Sequence, residues 1–141
     1  MEIEISNIVT ELESIRSLHD VENLKKLEAT LKRLGATEHR DQAMDALYRL
    51  YERFPLDDGY GLCWEILHQL ERMPNYEIAL VQSLQRQPAQ FSLTMLERWL
   101  NAGRTHIDGI DLIALLITIA ANPNENAAIR ESAQECLDSR G

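Results

Sequence analysis

Two adjacent carboxylates and two glycines, in Asp57-Asp58-Gly59-Tyr60-Gly61, stand directly ahead of a helical pattern. In that pattern Leu62, Ile66, Leu70 and Met73 recur at i, i+4, i+8 and i+11, one face of a 3.6-residue period. A short carboxylate in such a place accepts from the free N–H groups of the first turn, so Asp57 or Asp58 is expected to cap the helix. Both also sit near the positive end of the helix dipole. The stretch therefore offers two acids, Tyr60 and Trp64 beside a rigid element. That is the chemistry of a docking edge for a cationic protein surface, and equally of an acidic turn joining two helices. It is not the chemistry of catalysis.

Nothing else in the chain assembles a reaction centre. His19, His39, His68 and His106 are scattered, and none has His-x-x-x-His or Glu-linked zinc spacing. His68 stands three residues before Glu71, which predicts a surface histidine paired with a carboxylate. Gly59-x-Gly61 lacks the later glycine and the lysine of a phosphate-binding loop, and no Gly-x-Ser-x-Gly elbow is present. Asp57-Asp58 supplies too few oxygens for a calcium loop. Cys63 and Cys136 fall within helical patterns without partner spacing and are expected to be buried structural thiols. The expectation is a protein without enzymatic activity, metal or cofactor.

The chain has 141 residues, 45% of them hydrophobic and 26% charged, the make-up of one ordinary folded domain. Its formal net charge is −9. Nucleic-acid binders need a basic face to displace counterions from phosphates, and anionic membrane surfaces also recruit basic segments. Neither partner is expected; a basic protein partner is favoured. Met1-Glu2-Ile3-Glu4-Ile5 has neither the basic start nor the apolar core of a signal peptide. Leu112 to Ala121 is apolar almost throughout, but about ten residues fall short of the roughly 20 that cross a bilayer. A soluble, reducing, cytoplasmic setting is expected.

The elements that must position these residues are all helical. Ser6 or Asn7 is placed to cap a first helix running to about Leu18, with Ile8, Leu12, Ile15 and Leu18 inward. Asp20 caps a second, with Asn23 where a capping box would have Glu; Leu24, Leu27, Leu31 and Leu34 face inward, and Gly35 ends it. A third spans about Glu38 to Phe54, with Ala43, Leu47, Leu50 and Phe54 inward, and Pro55 stops it. Pro74-Asn75 closes the fourth, and Asn75 is placed to cap the fifth. The fifth carries Ile78, Val81 and Leu84 and ends before Pro88. The sixth starts near Ser92, carries Leu93, Leu96, Trp99 and Leu100, and stops at Asn101-Ala102-Gly103. Asp108 is placed to cap the seventh, which is apolar nearly all round and is therefore expected at the centre. The last, about Glu125 to Asp138, buries Ile129, Ala133, Cys136 and Leu137. No stretch alternates like a strand hairpin. About eight helices, at roughly 35 residues per pair, predict an all-α fold of antiparallel pairs, an α-solenoid or a related helical stack.

What remains is surface. Asp57, Asp58, Glu65, Glu71, Glu97, Asp108 and Asp111 are the outward acids of the second half. Beyond Lys32 every Lys/Arg position is arginine; Arg72, Arg86, Arg98 and Arg104 are placed to pair with helix carboxylates. Tyr60, Trp64, Tyr76 and Trp99 are of the type that anchors interfaces, or that packs a core.

Two segments carry a resemblance. One is Asp57 and Gly59-Tyr60-Gly61-Leu62-Cys63-Trp64-Glu65-Ile66-Leu67-His68 with Tyr76-Glu77. The other is Arg86-Gln87-Pro88, Phe91-Ser92-Leu93, Met95-Leu96, Arg98 and Asn101-Ala102-Gly103. Over roughly residues 57 to 122 the chain resembles the small HEAT-like helical immunity proteins of bacterial polymorphic toxin systems, contact-dependent growth inhibition among them. The resemblance implies a cytoplasmic protein that binds one cognate toxin C-terminal domain and blocks its active site or substrate access. Many such toxins are nucleases with basic clefts, which the acidity of this chain would complement. The resemblance does not itself identify the contact residues; from the surface, Asp57, Asp58, Tyr60, Trp64, Glu65, Glu97 and Asp108 are the expected partner-binding residues, which gather at one end of the central helix pair if the helices stack antiparallel. A generic helical-repeat adaptor is the other reading, and a small enzyme or ligand-binding helical domain a third.

Overall fold

The computed structural model describes residues 3–140; the reading of Met1-Glu2 lies outside them. Eight α-helices follow one another: α1 (Ile3–Glu13), α2 (Val21–Gly35), α3 (Met44–Arg53), α4 (Leu62–Leu70), α5 (Tyr76–Arg86), α6 (Gln90–Asn101), α7 (Leu112–Ala121) and α8 (Ala127–Asp138). The fold is all-α. The expectation of no hairpin is corrected by one short antiparallel pair between α6 and α7, β1 (His106–Ile107) and β2 (Ile110–Asp111).

Local chemistry sets most boundaries. Asp20 caps α2: its Oδ2 accepts from the Asn23 backbone N–H at 3.1 Å, and the Asn23 side-chain amide donates to its Oδ1 at 2.8 Å, which fastens the cap without closing a capping box. α1 starts ahead of Ser6 and Asn7, which lie inside it, and ends at Glu13 rather than Leu18. Its carbonyl end is claimed from a distance: the Arg53 guanidinium donates to the Leu12 carbonyl at 2.9 Å. Ile15 and Leu18 are buried as expected, but from the connecting loop. Gly35 is still helical, and right-handed Ala36 ends α2. A 3-10 turn at Arg40–Ala43 replaces the predicted first turns of α3. Asn75 stands at the N-cap of α5 but in the left-handed region, with no side-chain capping bond. Ser92 is not the start of α6; its hydroxyl accepts from the Ala89 N–H at 2.9 Å and fastens the first turn.

Each odd–even pair packs together: α1 on α2, α3 on α4, α5 on α6, α7 on α8. The pairs stack through α1–α3–α5 on one side and α2–α4–α6–α8 on the other, with α3 also touching α6. One continuous core of leucines and isoleucines runs through the stack. Its hub is α3. Tyr48 and Tyr51 are fully buried there, and their hydroxyls reach out to backbone: Tyr51 donates to the Cys63 carbonyl of α4 at 2.7 Å, and Tyr48 to the Tyr76 carbonyl of α5 at 2.9 Å. Tyr51 also stacks on Phe91 of α6, with ring centroids 5.7 Å apart.

α7 is not central. It forms an end layer covered mainly by α8; Leu112, Leu116 and Ile119 are buried, whereas Ile117 is 53% exposed. Apolarity all round a helix lets it be buried on any side, but does not supply the neighbours to do so. Cys63 and Cys136 are free and buried. Among the described residues no helix is long and apolar enough to cross a membrane.

Removing the Tyr51 hydroxyl deletes a buried bond between two helices while keeping the ring stack. Tyr51→Phe is expected to destabilise by about 1–2 kcal/mol in urea unfolding. An unchanged midpoint would show that the bond adds nothing.

Candidate functional site

The acidic turn is built by an unusual run of backbone. Gly59, Tyr60 and Gly61 all have positive φ, at 58°, 52° and 95°. Two of these are glycines, which take that region freely; Tyr60 does so at a cost of the order of 1 kcal/mol or more. The Asp58 carboxylate compensates by accepting from the Tyr60 N–H at 3.0 Å, and its carbonyl accepts from the Gly61 and Cys63 N–H groups at 3.1 Å each. The left-handed turn throws the Tyr60 ring outward, 74% exposed.

One turn later Trp64 is 45% exposed. Its ring meets Phe91 edge-on at 5.1 Å, and Phe91 stacks on Tyr51, so a chain of three aromatics ties the exposed indole to the buried hub. Val21 and Leu56 are large apolar side chains also left exposed beside this turn, and Val21 shares a shallow notch with Tyr60. The sequence reading missed both, because each sits at a helix boundary or loop where periodicity is silent.

Asp57 is not a free acid. Its Oδ1 lies 2.9 Å from His19 Nε2, its side chain is only 24% exposed, and its carbonyl receives the Cys63 thiol at 3.5 Å. It fastens the loop between α1 and α2 to the turn. Asp58 is exposed and spent partly on the cap. Glu65 is half-buried on α4.

Glu97 and Asp108 do not join this edge. Trp64 meets Phe91 near the starts of α4 and α6, and Glu71 meets Arg98 near their ends, so the two helices run in the same direction. Asp108 lies beyond the far end of α6, and the stretch from Phe91 to Asn101 alone spans roughly 15 Å at 1.5 Å per residue. Asp108 occupies the hairpin turn with φ 49°. It is Asp111 that caps α7, accepting from the Ile113 and Ala114 N–H groups at 3.0 and 3.1 Å. Glu97 sits in a separate niche beside Cys136, 3.9 Å from Arg140. Nor does His68 pair with Glu71: both Glu71 oxygens are taken by Arg98, and the imidazole lies against Trp64 at 6.4 Å.

Cys63 lies directly under the turn. Burial, followed by the nearby Asp58 and Asp57 charges, pushes its thiol up to about 12. It is held neutral and is not a ready nucleophile. Among the described residues no group of three or more His, Cys, Asp or Glu side chains could hold a metal ion. A second concentration of polar and aromatic groups, around Trp99 and Arg104, lies at the opposite ends of α4 and α6. Its members come from three elements, and nothing in their spacing announces that they meet.

No protein-family model, curated protein or solved structure matches this chain. What the protein can do is therefore read from its own surfaces.

The thiol gives a pH dependence with a definite sign. In the unfolded chain it ionises near 9.0; in the folded protein it stays protonated to about 12. Its contribution to stability is whole below pH 9 and is lost as pH rises through that window. Cys63→Ala is expected to flatten the fall in unfolding free energy between neutral pH and about pH 10. Parallel curves for the two proteins would contradict it.

Proposed function

We propose that this chain is an immunity protein: it binds a cognate bacterial toxin domain in the cytoplasm and covers that domain's active site or substrate path, with no chemistry of its own. One observation carries the reading. Leu56, Tyr60 and Trp64 expose large apolar surface within nine residues, on a turn whose backbone is fixed, beside the Asp58 and Glu65 carboxylates. The Trp64 indole is already held against Phe91 and the backbone under Tyr60 is fixed, so less entropy is lost on binding, which is what an interface anchor requires.

The charge supports the same reading. A net −9 attracts a basic nuclease cleft at long range, and carboxylates around an apolar centre can take the places of phosphates. The two rows of stacked helices support a HEAT-like repeat arrangement, in which one edge is offered to a partner. On this reading Tyr60 and Trp64 are the anchors, and Asp58 and Glu65 steer. Asp57 orients the turn through His19. Glu97 and Asp108 drop out of the interface.

The test looks directly upstream of this chain's gene for a large secreted protein and uses that protein's C-terminal domain. Co-expression is expected to protect cells from that domain, and the two proteins to co-purify. Trp64→Ala, and Tyr60→Asn, which keeps a residue tolerant of the left-handed backbone, are each expected to weaken binding by about 2 kcal/mol, roughly 30-fold. Asp58→Asn keeps a capping oxygen and removes the charge, so it should slow association and reduce its salt dependence. Absence of protection, with partners that are not toxins, would favour the adaptor reading instead. Protection that survives all three changes would move the interface elsewhere.

A further inference from the structure

At the far ends of α4 and α6, where α5 begins, lies an open cleft of about 640 Å³. Its chemistry is the opposite of the acidic turn. Arg98 donates through Nε and Nη2 to the two oxygens of Glu71, at 2.8 and 3.0 Å, which leaves Nη1 without an acceptor. The Trp99 indole N–H donates to the Tyr76 hydroxyl at 2.9 Å, so the tyrosine's own proton remains to be given. Burial holds Tyr76 protonated above its ordinary range. The Arg104 guanidinium lies over the Trp99 ring, 4.5 Å from the centroid, and among the described residues it meets no carboxylate or other acceptor. The Asn101 amide stands on the rim.

Three kinds of donor, guanidinium, phenol and amide, thus line one cleft, and its one lining acid has both oxygens engaged. Two arginines against one glutamate leave a net +1 in a protein of net −9. Resting over the Trp99 ring restrains the Arg104 guanidinium, so less freedom is lost when it grips an oxyanion with two parallel bonds. A single positive charge suits a monoanion; a phosphate dianion would bring a second negative charge beside Glu71. Tyr76 and Trp99, edge to face at 6.2 Å, supply an apolar wall next to the donors.

We infer that this cleft binds a carboxylate carried by a peptide chain, gripped by Arg104 and Arg98 with the neighbouring residue against Trp99 and Tyr76. The site uses neither Tyr60 nor Trp64, so it stands or falls separately from the immunity reading.

The experiment is an NMR titration of the full chain, following the two indole N–H signals. Trp99 reports the cleft, and Trp64, at the other end of the helices, is the internal control. N-acetylphenylalanine presents a chain-end carboxylate, and N-acetylglutamate α-amide a side-chain one. A saturable shift of the Trp99 signal alone with either probe is expected, and the tighter probe names the source. N-acetylphenylalaninamide, which has no carboxylate, should leave the signal in place. Arg104→Gln should weaken the effective probe roughly tenfold while the Trp64 signal stays where it was. Equal binding of the neutral amide, tighter binding of inorganic phosphate, no shift with either carboxylate, or an unchanged affinity in Arg104→Gln would each overturn the assignment.

Discussion

Two buried hydroxyls on α3 hold this molecule together in a way that leucines could not. A tyrosine ring can be placed in a core for its area alone, but its O–H must then find an acceptor or forfeit a hydrogen bond. Tyr51 and Tyr48 find theirs on backbone carbonyls of α4 and α5. That demand fixes where those helices sit along α3, which apolar contacts, being non-directional, do not. Burial raises the pKa of both phenols far above the ordinary value, so the donors stay donors. The acidic turn hangs from the same bond: Tyr51 holds the Cys63 carbonyl, and Cys63 is the second residue of the helix that Gly59–Gly61 leads into.

The closest ion pairs run between helices, while Arg49 pairs more loosely along α3, 3.5 Å from Asp45 and 3.7 Å from Glu52. Glu11 takes Arg33 across α1 and α2, Glu52 takes Arg86 across α3 and α5, and Glu71 takes Arg98 across α4 and α6. Exposed pairs of this kind contribute little stability, yet Glu52 and Glu71 are largely covered and their partners grip with two nitrogens each. The arrangement uses up arginines as clasps. Among the described residues the acids of the turn meet only His19 and backbone donors, so negative charge collects where the aromatics are exposed.

The parallel course of α4 and α6 then gives the protein two unlike ends. Their starts carry Trp64 and the acidic turn; their finishes carry Arg98, Trp99 and, just beyond, Arg104. A helical stack separates such surfaces by the length of its helices, so one chain can hold an acidic edge and an arginine-lined cleft without their fields cancelling.

Local rules carried much of this. Heptad-like spacing identified eight helices and most of their buried faces, because one side of each is covered by a neighbour whatever that neighbour is. Asp20, Pro55, Pro88 and Gly103 acted within a few residues of themselves, and the punctuation they predict is observed. The acidic, aromatic turn was also legible, since its residues are contiguous. Tertiary structure alone decided the rest. It brought Arg53 to the end of α1, gave Asp57 to His19, and set α7 at an end of the stack. It separated Glu97 and Asp108 from the turn and gathered Tyr76, Arg98, Trp99 and Arg104 into a cleft. The reason is range: caps, breakers and periodicity act over a few residues of chain, whereas these outcomes depend on which distant groups arrive beside them, and spacing in sequence carries no record of that.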